Sequence, residues 1–293
     1  MRWNRCGRAA ALLPAILLPL AACTGSSDAV VVGGKNFTEQ RVLGELVAQA
    51  IEGAGLRVSR KLDLGGTFVC DSALRAGQID VYVEYSGTAL GAILKDSTAG
   101  SDAASVLARV RAAYEPAGLV WTAPLGFDNS FALVVRGDAG VASISAATPA
   151  AKQWRAAFGY EFQQRADGYP ALQRIYGLQF KEVRTMDLGL LYQALIERQA
   201  DVVVGSATDA AISRFALRVL ADDRRAFPPY EAVPIVRRAA LAAHPGLEAA
   251  LDRLGGTLDV DTMRSLNEEV EGKGLSPADA VAAFLRARVS RRS

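Results

Sequence analysis

A lysine lies in a short polar loop between a predicted strand and a predicted helix. The loop reads Gly33, Gly34, Lys35 and then Asn-Phe-Thr-Glu-Gln to position 40. Backbone N–H groups converge where a helix begins, the helix dipole favours an anion there, and Lys35 adds a full positive charge. The loop is therefore suited to an anion. A P-loop is excluded, because Asn36 stands where that motif needs Ser or Thr and Ala29 where it needs its first glycine.

Side chains for metal binding or nucleophilic catalysis are scarce. The single histidine, His244, precedes Pro245 in a predicted loop, and Cys70 lies in an apolar segment where a small buried hydrophobe is the expected role. Cys6 and Cys23 fall in or next to the N-terminal segment discussed below, so no internal disulfide is expected. We therefore expect neither a metal nor a cofactor.

Further polar and aromatic segments follow at intervals along the chain. They comprise residues 79–88 (IDVYVEYSGT), 126–131 (GFDNSF), 161–168 (EFQQRADG), 208–209 (TD) and 227–230 (FPPY). In this order and at these spacings, they resemble the quaternary-amine-binding proteins of osmoprotectant ABC transporters, whose ligands include glycine betaine, choline and carnitine. The resemblance extends from about residue 29 to 290.

The resemblance implies two groups of ligand contacts. The first is a cage for the cation and the second a site for the carboxylate. The implied cage residues are Tyr85, Phe131, Tyr230, Asn129 through its backbone carbonyl, and position Ser206; the implied carboxylate ligands are Lys35, Thr88 and Arg165.

These residue types fit the chemistry of a betaine. A trimethylammonium group cannot donate a hydrogen bond, so aromatic faces hold it, at roughly 0.5 to 2 kcal/mol each. A carboxylate instead needs fixed donors and positive charge, which a guanidinium and a lysine supply. The sequence thus predicts a zwitterion or a cation as the ligand.

Two positions depart from the pattern of tight betaine binders. Residues Gly205, Ser206 and Ala207 stand where a fourth aromatic is common, and Phe131 stands where tyrosine is usual. An incomplete cage leaves a different zwitterion or a bulkier cation open as the ligand.

Each proposed contact also has a purely structural alternative. Tyr85 and Phe131 flank predicted strands, where aromatic rings usually pack. Arg165 fits a surface ion pair, and Thr88 fits a helix cap. An enzyme on the same scaffold is a further alternative, but the predicted cleft offers Lys35, Arg165 and tyrosines without His, Cys or paired carboxylates, so we expect no catalysis.

The N-terminus resembles the signal of an exported lipoprotein. Arg2, Arg5 and Arg8 precede an apolar stretch that ends at residue 20, which is too short to span a bilayer. Leu20-Ala21-Ala22-Cys23 resembles a lipobox. We expect 1–22 to be a signal peptide, Cys23 to be lipidated, 23–27 to be a tether, and the protein to be anchored at the periplasmic or cell-envelope face of a membrane.

The remaining composition fits a binding protein of two lobes. Removal of the three signal arginines from 33 Lys plus Arg leaves 30 against 31 Asp plus Glu, so no basic footprint for nucleic acid remains. About 270 residues exceed one small core. We expect a monomer that works with an ABC permease in the inner membrane.

Strands and helices must alternate to position these residues. The sequence predicts strands at 29–33, 56–62 and 79–83 and helices at about 38–53 and 67–76. This order indicates an α/β protein, and the resemblance implies a type II periplasmic-binding-protein fold with two crossovers and a ligand cleft. Lobe one is predicted as 28–129 plus 232–293, and lobe two as 130–231.

Overall fold

The structure is a computed structural model that describes residue 1, residues 29–96 and residues 102–292. The predicted signal peptide and Cys23 therefore lie outside the described part of the chain. Within that part, none of the helices combines the length and the apolar character needed to cross a membrane.

Two five-stranded mixed sheets form the centre of the molecule. In the first, the order is β2-β1-β3-β10-β4, and β10 is antiparallel to both of its neighbours. In the second, the order is β7-β6-β8-β5-β9, and β5 is antiparallel to β8 and β9. The strands are β1 (Ala29–Gly33), β2 (Arg57–Lys61), β3 (Val81–Tyr85), β4 (Leu119–Trp121), β5 (Phe131–Val135), β6 (Arg155–Phe158), β7 (Glu182–Thr185), β8 (Val202–Ser206), β9 (Arg218–Val219) and β10 (Ala232–Arg237).

The helices divide between the sheets. We call the first sheet with α1–α4 and α10–α13 lobe one, and the second sheet with α5–α9 lobe two. The helices are α1 (Thr38–Glu52), α2 (Thr67–Arg75), α3 (Ser86–Thr88), α4 (Ala103–Tyr114), α5 (Ile144–Ala151), α6 (Tyr160–Gln164), α7 (Tyr169–Tyr176), α8 (Leu188–Ile196), α9 (Ala210–Arg214), α10 (Arg238–Ala243), α11 (Leu247–Asp252), α12 (Val260–Glu271) and α13 (Pro277–Arg292).

The chain crosses between the lobes twice. The first crossover leads from β4 to β5 and the second from β9 to β10. An isolated bridge between Asp128 and Glu231 ties the two crossovers together. The fold class predicted from the sequence is confirmed: two α/β lobes are joined by two crossovers.

Helix α1 shows how the sequence positions the site. Its apolar face, which includes Val42, Leu43 and Leu46, is buried as its spacing predicts. Its first residue is Thr38 and its N-cap is Phe37, which makes no side-chain cap hydrogen bond. Residues 34–37 therefore form the short loop that joins the end of β1 to the start of α1.

Strand β3 lies two residues later than predicted. All five of its residues are buried, so the sequence offers no alternation that would mark its ends. Asp80, placed inside the strand by the prediction, instead accepts a bond from the backbone N–H of Val31 at 2.9 Å and pairs with Arg237. The shift carries Glu84 and Tyr85 to the end of the strand, next to the Lys35 loop.

Candidate ligand-binding site

Lys35 is buried, and its charge is already matched. Only 3% of the residue is exposed, and its Nζ pairs with Glu84, which is fully buried. The ammonium also donates to Thr67 Oγ1 at 3.1 Å and lies 5.0 Å from the centre of the Tyr85 ring. A buried charge needs such a partner. Any ligand carboxylate that binds here has to compete with Glu84.

Arg165 is held in a two-pronged ion pair with Asp167. Its Nε and Nη2 lie 2.8 and 2.6 Å from the two carboxylate oxygens. Burial alone would lower the pKa of Arg165, but the bonds to Asp167 outweigh burial and raise it. The interpretation as a surface pair is wrong, because both residues are at least nine-tenths buried.

Arg165 also joins the lobes. Its Nη2 lies 3.3 Å from Thr88 Oγ1 of lobe one, so two of the three predicted carboxylate ligands are neighbours. The guanidinium stacks 5.0 Å from the centre of the Phe131 ring. Thr88 is the last residue of α3 and stands at the N-cap of the π-helical turn Ala89–Ile93, but its side chain makes no cap hydrogen bond and its hydroxyl instead faces Arg165 of lobe two.

Four aromatic rings meet beside this ion pair. Phe131 lies edge to face with Phe162, Tyr230 and Phe227, with centroids 4.8, 5.3 and 5.6 Å apart. Tyr230 donates its hydroxyl to Asp167 Oδ2 at 2.9 Å. Two of the three predicted cage rings are thus in contact. Phe162 and Phe227 were not predicted as cage residues, although both belong to the polar and aromatic segments 161–168 and 227–230.

Tyr85 and Ser206 occupy different places around these rings. Tyr85 lies beside Lys35 and donates its hydroxyl to Glu39 Oε1 at 2.6 Å. Ser206 pairs with Phe131 in the register of β5 and β8. Residues opposite each other in an antiparallel pair point to the same face of the sheet. The half-buried Ser206 therefore shares the face of Phe131, as the predicted cage position requires.

Asp209 fixes the end of β8 next to Ser206. Its Oδ2 accepts from the Ser206 N–H at 2.8 Å and from the Tyr192 hydroxyl at 2.6 Å. Burial raises the pKa of Asp209 to about 6. These two hydrogen bonds thus fix the backbone at the position where a fourth aromatic is common in the family.

Glu39 is a buried carboxyl that the sequence analysis did not identify. Besides Tyr85, it contacts the amides of Asn129 and Asn267 and the hydroxyl of Thr208. Burial raises the pKa of Glu39 to about 7, although hydrogen bonds from Thr208, Tyr85 and Asn267 oppose the shift. Its local signal was a glutamate in the first turn of α1, which resembles an ordinary helix-dipole contact.

Buried carboxylates near the predicted ligand contacts were not among the residues predicted from the sequence. Glu39, Glu84 and Asp167 are all buried near the predicted ligand contacts. The partners of Glu39 are distant in sequence and Glu84 belongs to a strand, whereas Asp167 lies only two residues from Arg165. Among the described residues no group of three or more His, Cys, Asp or Glu could hold a metal ion. Burial raises the pKa of the Cys70 thiol to about 12, so this buried cysteine is no ready nucleophile.

The two lobes approach closely at two glycines. A Cβ on Gly66, which precedes α2, would lie 2.2 Å from Glu161 Oε1 of lobe two. A Cβ on Gly91 would lie 2.6 Å from Asp167 Oδ2. The flexible Glu161 side chain can move away from a larger residue at Gly66, whereas at Gly91 the Cβ would also lie 2.9 Å from the Asp167 Cβ, so a larger residue there would push the lobes apart.

The known proteins that this chain resembles in sequence include binding proteins for glycine betaine and carnitine transport. The chain matches the family described as OpuAC, substrate binding domain of ABC-type glycine betaine transport system, over residues 28–287. It is 35% identical over 281 residues to a glycine-betaine-binding protein of Pseudomonas aeruginosa, covering 91% of this chain and 90% of that one. It is 30% identical over 269 residues to the carnitine transport binding protein OpuCC of Listeria monocytogenes, covering 89% and 87%.

A solved structure supports the same assignment. The crystal structure of a glycine betaine/carnitine/choline ABC transporter protein superposes with a TM-score of 0.75 at 27% identity, covering 88% of this chain and 98% of that chain. The family resemblance inferred from the sequence is therefore confirmed: the chain belongs to the OpuAC family of ABC-transporter substrate-binding proteins.

Proposed function

We propose that this protein captures a quaternary ammonium osmolyte of the glycine betaine or choline type in the cleft between its lobes and delivers it to an ABC permease. The cluster of Phe131, Phe162, Phe227 and Tyr230 next to the Arg165–Asp167 pair is the observation that carries this proposal. It combines aromatic faces for a cation with a guanidinium for a carboxylate.

The proposed ligand contacts follow from this arrangement. The cation lies against Phe131 and Tyr230, with Tyr85, the carbonyl of Asn129 and position Ser206 as further walls of the cage. The carboxylate of a betaine binds Arg165 and Thr88, which are already neighbours across the cleft. Lys35 contributes if its ion pair with Glu84 loosens when the ligand binds.

Transport requires opening and closing rather than chemistry. We propose lobe one as residues 28–129 and 232–293 and lobe two as 130–231, because the sheets divide at these crossovers. A ligand that touches both lobes stabilises the closed arrangement. The permease then recognises the closed form, and the protein catalyses no reaction.

The envelope location is part of the same proposal. Residues 1–22 direct export, Cys23 receives the lipid, and residues 23–27 tether a monomer to the membrane at the periplasmic or cell-envelope face. Cys23→Ser removes the acyl acceptor, so it is expected to abolish incorporation of labelled fatty acid. Persistent labelling of this variant would contradict the proposed anchor.

A different zwitterion or a bulkier cation is the second candidate. It is favoured by Ser206, which leaves the face of Phe131 without a ring on the neighbouring strand. On either proposal the ligand contacts the same aromatic and basic residues, so relative affinities separate the two candidates. Tighter binding of glycine betaine or choline favours the first, and tighter binding of carnitine or a larger betaine favours the second.

Calorimetry of the mature protein against this panel tests the proposal. Binding of at least one quaternary amine is expected, and Phe131→Ala should weaken it about 2- to 30-fold through loss of a cation–π contact. Phe180→Ala is the matched control, because Phe180 packs on Phe158 and Tyr169 elsewhere in lobe two. Absence of binding to the whole panel, or equal loss in both variants, would refute the proposed site.

A further inference from the structure

Three side chains from separate parts of the chain close a ring of hydrogen-bond contacts. Glu39 comes from α1, Asn129 from the first crossover and Thr208 from lobe two. Asn129 Nδ2 lies 2.7 Å from Glu39 Oε1, and Thr208 Oγ1 lies 2.9 Å from Asn129 Oδ1. A short contact between Thr208 Oγ1 and Glu39 Oε2 completes the ring. All three residues are buried.

The ring needs one more proton than its neutral members supply. Each of its three contacts requires one hydrogen. The Asn129 amide provides a hydrogen on its nitrogen side only, and the Thr208 hydroxyl provides one. Reversal of the Asn129 amide exchanges its donor and acceptor sides but leaves this count unchanged. The third hydrogen must therefore sit on the Glu39 carboxyl.

The remaining contacts of Glu39 are compatible with a neutral carboxyl. Oε1 also accepts from the Tyr85 hydroxyl at 2.6 Å, and Oε2 accepts from Asn267 Nδ2 at 3.2 Å. Among the residues that the structure describes, no cationic side chain contacts this carboxyl. A buried carboxylate without a cation is costly, and the group normally binds a proton instead.

Nearby charged groups do not change this conclusion. Tyr85 on β3 and Asp209 at the start of α9 are the titratable groups that act on Glu39, and the Asp209 charge disfavours a second anion. The other charged groups on the elements around it have partners of their own: Lys35 with Glu84, Arg60 with Glu45 and Glu52, Arg264 with the Ala207 carbonyl, and Arg214 with Glu268.

We propose that Glu39 carries a proton when the lobes are closed and that closure around a ligand takes this proton up. Thr208 moves away with lobe two on opening, so the ring breaks and water reaches the carboxyl. Glu39 then ionises at neutral pH. The pKa of Glu39 in the closed molecule, raised by burial to about 7, has the sign that this coupling requires. The coupling to ligand rests on the proposed function, whereas the protonated carboxyl does not.

Calorimetry in buffers of different ionisation enthalpy measures the proton directly. With glycine betaine as the probe, we expect uptake of about 0.5 to 1 proton near pH 6.5. Because binding takes up a proton, the affinity should weaken as the pH rises toward the closed-state pKa, by up to about tenfold per pH unit. Glu39→Gln should bind without uptake and with little pH dependence. Glu45→Gln on the same helix is the control and should keep the uptake, because Glu45 pairs with Arg60 outside the ring.

Carbon NMR of labelled glutamate provides a second, independent readout. The Glu39 carboxyl resonance, assigned by its loss in Glu39→Gln, should titrate near neutral pH with ligand bound. A midpoint at the ordinary value of about 4.3 would overturn the proposal, as would binding without proton uptake. If no quaternary amine binds, the proposed function fails, and the same resonance is then measured with the lobes held closed by a disulfide between Gly91→Cys and Asp167→Cys, because a Cβ on Gly91 would lie 2.9 Å from the Asp167 Cβ. A raised midpoint in the linked protein supports the protonated carboxyl, and an ordinary one refutes it.

Discussion

Arg165 and Asp167 form a closed fork in which both carboxylate oxygens accept from the same guanidinium, at 2.8 and 2.6 Å. The pair lies beside the Phe131 ring and reaches Thr88 of the other lobe through Arg165 Nη2. The guanidinium that a betaine carboxylate would bind thus has its charge balanced by the protein itself. The balance between these two residues should decide whether the cleft prefers a zwitterion or a simple cation.

Asp167→Asn should shift the preference toward zwitterions. The substitution keeps an acceptor for Tyr230 and leaves the Arg165 charge uncompensated, so glycine betaine should gain about tenfold relative to choline, equivalent to about 1.4 kcal/mol. Calorimetric Kd values for both ligands measure the ratio. Glu182→Gln, which alters an exposed pair with Arg184, should leave the ratio unchanged. A ratio that moves toward choline would contradict this assignment.

Arg165→Ala should have the opposite effect. A carboxylate left without its guanidinium in a closed cleft costs on the order of 2 to 5 kcal/mol, whereas choline has no carboxylate to lose. Without Arg165, the negative charge of Asp167 loses its cationic partner and should even favour a cation. Comparison of the two ligands on the same purified variant removes any common loss of stability from the ratio. Equal losses for both would show that Arg165 does not bind the carboxylate.

Stability should fall as the pH rises through the titration range of Glu39. In the closed, ligand-bound protein, burial raises the pKa of this carboxyl from 4.5 to about 7, so this folded state holds a proton that the unfolded state releases. The resulting stabilisation is complete below about pH 4.5 and is lost by about pH 7, at about 1.4 kcal/mol per unit of pKa difference. Asp209, raised to about 6, contributes with the same sign over a lower range.

Urea denaturation of wild type and Glu39→Gln at several pH values, with saturating glycine betaine to keep the lobes closed, measures this slope. The difference in unfolding free energy between the two proteins should change between pH 5 and 7 in favour of the variant, because the glutamine has no proton to lose. If the glutamine amide of the variant fits the ring of hydrogen bonds less well than a protonated carboxyl, the resulting loss of stability is the same at every pH, so it does not change the pH dependence of the difference. Parallel curves for the two proteins would count against a raised pKa.

Local patterns in the sequence were sufficient for the scaffold around the site. The apolar face of α1 and the loop that carries Lys35 are contiguous, so periodicity and glycines predict them. The contact of Phe131 with Tyr230 joins residues 99 positions apart, and only the family resemblance brought them together.

Long-range polar partners could not be predicted in this way. Glu39 contacts Thr208 and Asn267, which are 169 and 228 positions away, and no local pattern distinguishes such a glutamate from a surface residue in a first helical turn. Asp167 was visible two residues from Arg165, but its role depends on the loop that turns both side chains together. The ends of β3 were missed because a strand buried on both faces lacks alternation.

Ser206→Tyr should close the cage on the side that β8 leaves open. Ser206 stands opposite Phe131 on the same face of the sheet, and Asp209 fixes its backbone, so a ring at this position would extend over the space in front of Phe131. One additional cation–π contact is worth about 0.5 to 2 kcal/mol, which corresponds to a gain of about 2- to 30-fold for glycine betaine. A bulkier cation that uses the same space should bind more weakly to the variant.

Parallel titrations of wild type and Ser206→Tyr with glycine betaine and with a larger betaine measure both effects. Ser145→Tyr, at a half-buried position near the start of α5, serves as a control for added aromatic area. Unchanged or weaker binding of glycine betaine by a correctly folded Ser206→Tyr protein would mean that the quaternary ammonium does not lie in front of Phe131, because the register of β5 and β8 leaves no other face for the new ring.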